Sequence, residues 1–192
     1  TAEHGPLFAL PKGPLLMVGI VGLSSAIGEG AMVDWSALIL TAAKGVDQAQ
    51  AALGYTVFST LMVATRLAGP ILVAQLGPAH TTRVSAASAM IGGLLVLVAP
   101  SLPIALIGFA AFGIGYAMII PLAFSRAAND PDVPAARAIA RVATLTYGGI
   151  LIRPPLIGFV AAATSLNGSL WLVIALVGLT PSMARALRRY SH

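Results

Sequence analysis

Two carboxylates, Glu29 and Asp34, stand in the run "GEGAMVDWS" (28–36), with apolar sequence on both sides. An acid in such a setting can take up and release a proton, hydrogen-bond a polar solute, or serve as a fixed charge satisfied by a basic neighbour. Two arginines share the predicament: Arg66 in "VATRLAGP", and Arg153 directly before Pro154 and Pro155. Other chemistries find no support. Cysteine is absent, which removes disulfides, thiolate nucleophiles and Cys-based metal sites. His4, His80 and His192 are scattered, and no His or acid pair has metal-ligand spacing. Phosphate-cradling loops, serine elbows and haem motifs are missing, so the expectation is a protein that is not an enzyme, with no cofactor and no metal.

The elements that position these charges follow from composition. Of 192 residues, 58% are hydrophobic and 9% charged, with a mean hydropathy of +0.92. Soluble domains carry about 25% charged residues, and a chain of this size cannot hide that much apolar surface from water. The fold class is therefore all-α: a polytopic membrane protein whose apolar runs lack the strict alternation of barrel strands. Six transmembrane helices are expected over 15–40, 51–76, 82–98, 104–124, 139–163 and 170–187, forming one domain across 1–192. The chain opens on Thr rather than Met, as a processed or cut N-terminus would, and shows no signal peptide.

Basic residues orient such a bundle. With the N-terminus in the cytoplasm, six spans return the C-terminus there. Lys12, Arg83, Arg126, Arg137, Arg141, Arg185, Arg188 and Arg189 then fall on or near the cytoplasmic side, leaving Lys44 beside Asp47 on the other. The net charge of +5 is spread between spans and does not form a nucleic-acid face. Arg66 and Arg153 escape this tally because they are embedded.

Glu29 lies about 21 Å along a helix that starts near Leu15, past the midplane. Asp34 is five residues on, turned by about 140° and nearer the outer interface. Glu29 is open to three roles: proton relay, substrate acceptor, or structural acid. Asp34 fits the structural role better, with Trp35 beside it as an interfacial anchor or cavity wall. Arg66 either snorkels to the interface or pairs with an acid inside the bundle. Arg153 should face water, an anionic solute or a carboxylate, Glu29 being one candidate partner. Pro70, Pro154 and Pro155 should bend or unwind their helices, and Gly108, Gly113 and Gly115 should allow close helix packing.

Several stretches resemble the C-terminal half, spans seven to twelve, of bacterial major facilitator superfamily (MFS) transporters. "GEGAMVDWSALIL" is similar to span seven of a sugar-permease-like or uncharacterised branch. "TRLAGPILVAQLGP" followed by Arg83 is similar to the signature loop between spans eight and nine. "GFAAFGIGYAMIIPLAFSRAA" resembles span ten, and "ARVATLTYGGILIRPPLIGFVAAATSL" span eleven. The family's loop reads Gly-Arg-x-x-Gly-Asp-x-x-x-x-Arg-x-Gly. Arg66, Gly69 and Gly77 keep their places here, while Thr65, Pro70 and Gln75 replace the first Gly, the Asp and the second Arg. Arg153 stands where a small residue usually precedes the double proline.

The resemblance implies one half of a symporter or antiporter in a bacterial inner (cytoplasmic) membrane. It implies rocker-type alternating access driven by a proton gradient, with a small polar or sugar-like solute. Glu29 would relay the proton, and Arg153, Trp35, Tyr147 and Tyr116 would be cavity candidates. Six helices offer only one wall of such a cavity. The chain is then a fragment, a natural half paired with another six-helix half of the same or a different chain, or a degenerate permease acting as an accessory subunit of a larger membrane complex. Its expected partners are that half or complex and lipid, without nucleic acid.

Overall fold

A computed structural model describes residues 10–183, and every regular element among them is helical. Local signals set the ends. Helix α1 (Pro14–Lys44) opens with proline in its first turn and stops at Gly45, whose φ of 62° is a left-handed cap. Helix α2 (Gln48–Leu76) starts where the Asp47 carboxylate accepts from the Gln50 amide at 2.8 Å. Asp47 therefore serves as an N-cap. Gly77 alone joins α2 to α3 (Pro78–Val98), at φ 73° and ψ 159°.

The next span is one apolar stretch, Leu102–Ala128, divided at residues 117–118 into α4 (Leu102–Tyr116) and α5 (Ile119–Ala128). Helix α6 (Ala135–Ala163) follows the hydrophilic loop. Helix α7 (Leu166–Gly178) begins at Ser165, whose hydroxyl accepts from the Gly168 amide at 3.1 Å, and a short α8 (Thr180–Met183) ends the described chain.

Five segments are long and apolar enough to cross a membrane: α1, α2, α3, α4 with α5, and α6. The sixth expected span, 170–187, is split between α7 and α8. The 13 residues of α7 cover about 20 Å. Residues 184–192 lie outside the described part, as do 1–9, so His4, His192, Arg185, Arg188 and Arg189 are not placed.

Helix α1 is the most enclosed segment. Helices α2 and α6 flank it and leave most of their surface uncovered by this chain. Small residues set the spacing elsewhere. A Cβ on Gly92 of α3 would stand 2.7 Å from the Gly108 carbonyl oxygen of α4, and one on Gly108 would stand 2.9 Å from that of Gly92. Two backbones that close admit no side chain between them, which is the glycine packing expected in lipid.

Helices α2 and α6 run through Pro70, Pro154 and Pro155 without unwinding. The interruption falls instead at 117–118, four residues or fewer before Pro121.

Gly77 occupies backbone space that is essentially glycine-only. Gly77→Ala should therefore lower unfolding stability by about 1–3 kcal/mol, read as a lower denaturation midpoint in detergent. An unchanged midpoint would mean that the α2–α3 joint relaxes freely.

Candidate functional site

The centre of α1 places three consecutive residues against three different helices. Successive residues are turned by about 100°, so Gly28, Glu29 and Gly30 cannot share a neighbour. Gly28 meets Tyr116 of α4, whose hydroxyl lies where a Cβ at 28 would sit. Glu29 faces α2, where Arg66 Nη2 donates to Oε2 at 3.0 Å and to Oε1 at 3.2 Å. Gly30 faces α6, and the Arg153 guanidinium fills the space a side chain would need.

Asp34 sits one turn beyond Gly30, on the same face as Gly30 rather than that of Glu29. Arg153 crosses Gly30 to reach it, with Nε 2.9 Å from Oδ2. The contact is a close ionic one; its angles do not meet those of a directed hydrogen bond. The expected candidate pair of Glu29 with Arg153 is therefore corrected. Glu29 pairs with Arg66, and Arg153 with Asp34, because the two acids diverge around α1 toward opposite flanks.

Arg66 is held at a second point: its Nε donates to the Ala117 carbonyl at 3.1 Å, at the joint between α4 and α5. The snorkelling alternative is thereby displaced, since the head group is tied inside the bundle. Both pairs remain partly exposed. Side-chain exposure is 37% for Arg66 and 22% for Glu29, and 16% for Arg153 and 32% for Asp34. Charges this uncovered in a membrane segment require water, a solute or a polar partner surface over them.

The remaining candidates divide. Tyr116 is fully buried and stacks on Phe112, with ring centroids 5.5 Å apart. Its hydroxyl has no hydrogen-bond partner among the described residues; the ring packs against Gly28 and does not line an open surface. Trp35 turns away from Asp34 into an apolar recess with Met32, Ile157, Leu170 and Val173. Tyr147 is 60% exposed and touches neither ion pair in any hydrogen bond or ring contact. Gly69 is buried where Met118 packs on α2; a Cβ there would stand 2.8 Å from the Met118 sulfur. Gly77 forms the α2–α3 joint, and Arg83 lies partly buried in the first turns of α3.

Sequence reasoning passed over two groups. Pro121 was legible as a residue without an amide hydrogen opposite the Ala117 carbonyl. Arg126, taken as an orientation charge, is nearly buried (3%) against Asp130 (5%), with Nη1 2.8 Å from Oδ2. Asp130 Oδ1 also accepts from the Asp132 and Val133 amides at 3.1 and 3.2 Å. Its i,i+4 spacing to Arg126 was the available signal. No group of three or more metal-ligating residues occurs among the described residues.

The role of Gly30 can be checked directly. Gly30→Ala should displace Arg153 and destabilise the protein by about 1–3 kcal/mol. In an Arg153→Ala background the same change should cost less than about 0.5 kcal/mol. Equal costs in both backgrounds would show that Gly30 serves some other contact.

No protein-family model matches the chain. Among curated proteins, it is 40% identical over 190 residues to "Uncharacterized transporter y4wD" of Sinorhizobium fredii, covering 98% of this chain and 50% of the relative. It is 35% identical over 187 residues to an "Uncharacterized MFS-type transporter" of Yersinia pestis, covering 97% and 49%. It is 34% identical over 161 residues to "Membrane protein MosC" of Rhizobium meliloti, covering 84% and 40%. The chain thus spans half or less of the length of the relatives it matches. Apolar helices long enough to cross a membrane, and relatives named as transporters, make it a multi-pass membrane chain. Over nearly its whole length it is homologous to one half of MFS-type transporters, the family its sequence resembles.

Proposed function

We propose that this chain is the C-terminal six-helix half of a secondary transporter, moving a small polar solute by alternating access with proton coupling at Glu29. The observation that carries the reading is the pair of carboxylate–guanidinium contacts at the junctions of α1 with α2 and α6, both left partly exposed by this chain. A second six-helix half packed over them would enclose both pairs in a central cavity, with access alternating as the halves rock. The names of two relatives support transport as the activity. The basic-residue bias supports an N-in, C-in orientation in a bacterial inner membrane.

Within that reading, Glu29 exchanges Arg66 for a proton and Arg153 shares Asp34 with the solute. A second reading rests on one feature: both acids already have internal partners, as a fixed scaffold requires. In it the chain is a non-transporting accessory subunit derived from a permease.

Uptake by the full-length protein in proteoliposomes separates the two. With hexoses, pentoses and polyols as radiolabelled probes and an imposed proton gradient, at least one probe should accumulate. Glu29→Gln should cut gradient-driven accumulation at least about tenfold while sparing exchange of solute for solute. Accumulation that is insensitive to Glu29→Gln would contradict proton coupling there. Absence of any uptake, together with an unrelated complex in native mass measurements, would favour the scaffold.

A further inference from the structure

The carbonyl that holds Arg66 is available because of the residue four positions later. In an α-helix the carbonyl of residue 117 accepts from the amide of residue 121. Residue 121 is proline, which has no amide hydrogen to give. Bonds form on either side of the joint: the Ala117 amide reaches the Gly113 carbonyl at 3.2 Å, and the Leu122 amide reaches that of Met118 at 3.0 Å. The Ala117 carbonyl lies near the middle of the Leu102–Ala128 span, where hydrocarbon supplies no substitute donor. Arg66 Nε donates to this carbonyl at 3.1 Å while Nη2 of the same guanidinium holds Glu29.

Helix α2 grips this joint twice. Gly69 lies three residues after Arg66, on the same face of α2. Its missing side chain admits Met118, the residue next to Ala117. One face of α2 thus carries both the donor for the free carbonyl and the socket for its neighbour.

We infer that Pro121 is a positioning residue for the Glu29–Arg66 pair: by withholding an amide hydrogen it leaves the Ala117 carbonyl to anchor Arg66, so that one guanidinium ties α1 to the joint between α4 and α5. A change of state at Glu29 then alters the hold on that joint. This consequence rests on the proposed role of Glu29, whereas the anchoring of Arg66 does not.

Hydrogen exchange of the full-length protein in lipid nanodiscs tests it, read on peptides covering residues 116–124. Arg66→Gln should speed exchange there about tenfold, since the joint loses its charged donor. In a Pro121→Ala background, where an amide can satisfy Ala117, Arg66→Gln should change exchange less than about twofold. Glu29→Gln should give a smaller rise that also vanishes with Pro121→Ala. Should the alanine variant fail to fold, Pro121→Leu restores the same amide with more apolar bulk. Exchange that Arg66→Gln leaves unchanged, or raises equally in both backgrounds, overturns the inference. Uptake plays no part in this readout, so it fails or stands separately from proton coupling at Glu29.

Discussion

Everything at the centre of this bundle follows from the cost of leaving polar groups unpaired in hydrocarbon. Glu29, Asp34, Arg66 and Arg153 lie well inside the membrane-spanning segments, and the structure pairs these four side chains and gives the Ala117 carbonyl a donor. Glu29 meets Arg66, Asp34 meets Arg153, and the Ala117 carbonyl meets Arg66 a second time. The geometry that permits this is the 100° turn between successive residues of α1. It sends Gly28, Glu29 and Gly30 toward α4, α2 and α6, and the two glycines make room for Tyr116 and Arg153.

This arrangement makes α1 a hub rather than one wall among six. Its two acids carry opposite flanks of the bundle, and each flank ends on a helix with a largely uncovered surface. An event that loosens one acid need not loosen the other, because they share no arginine. The Glu29 side reaches further, through Arg66, into the divided α4–α5 span. The Asp34 side stops at α6, whose helix continues unbroken through Pro154 and Pro155.

Much of this was legible in the sequence. Apolar run lengths located five segments long and apolar enough to cross a membrane, and the four embedded charges singled out proved to be paired, as did Arg126, which was read only as an orientation charge. The pairing was not, although the means lay at hand. Glu29 and Asp34 differ by about 140° around a helix, which argues against one arginine serving either acid interchangeably, and Gly30 one turn before Asp34 marks where a long side chain could cross. The three conspicuous prolines lie in helices that continue through them without unwinding. Pro121 escaped notice because it stands within an apolar run. Trp35 and Tyr147 illustrate the remaining gap, since residue type alone does not say which way an aromatic ring turns.

The pairing at the α1 hub is the central claim, and the absence of native cysteine in this chain makes it accessible to cross-linking. Paired cysteines would be introduced into the full-length protein at 29 with 66, 34 with 153, and 29 with 153, then treated in native membranes with a short thiol-to-thiol reagent. Efficient cross-linking of the first two pairs, with little of the third, is the predicted result. Cross-linking of 29 with 153 as readily as 29 with 66 would contradict the account.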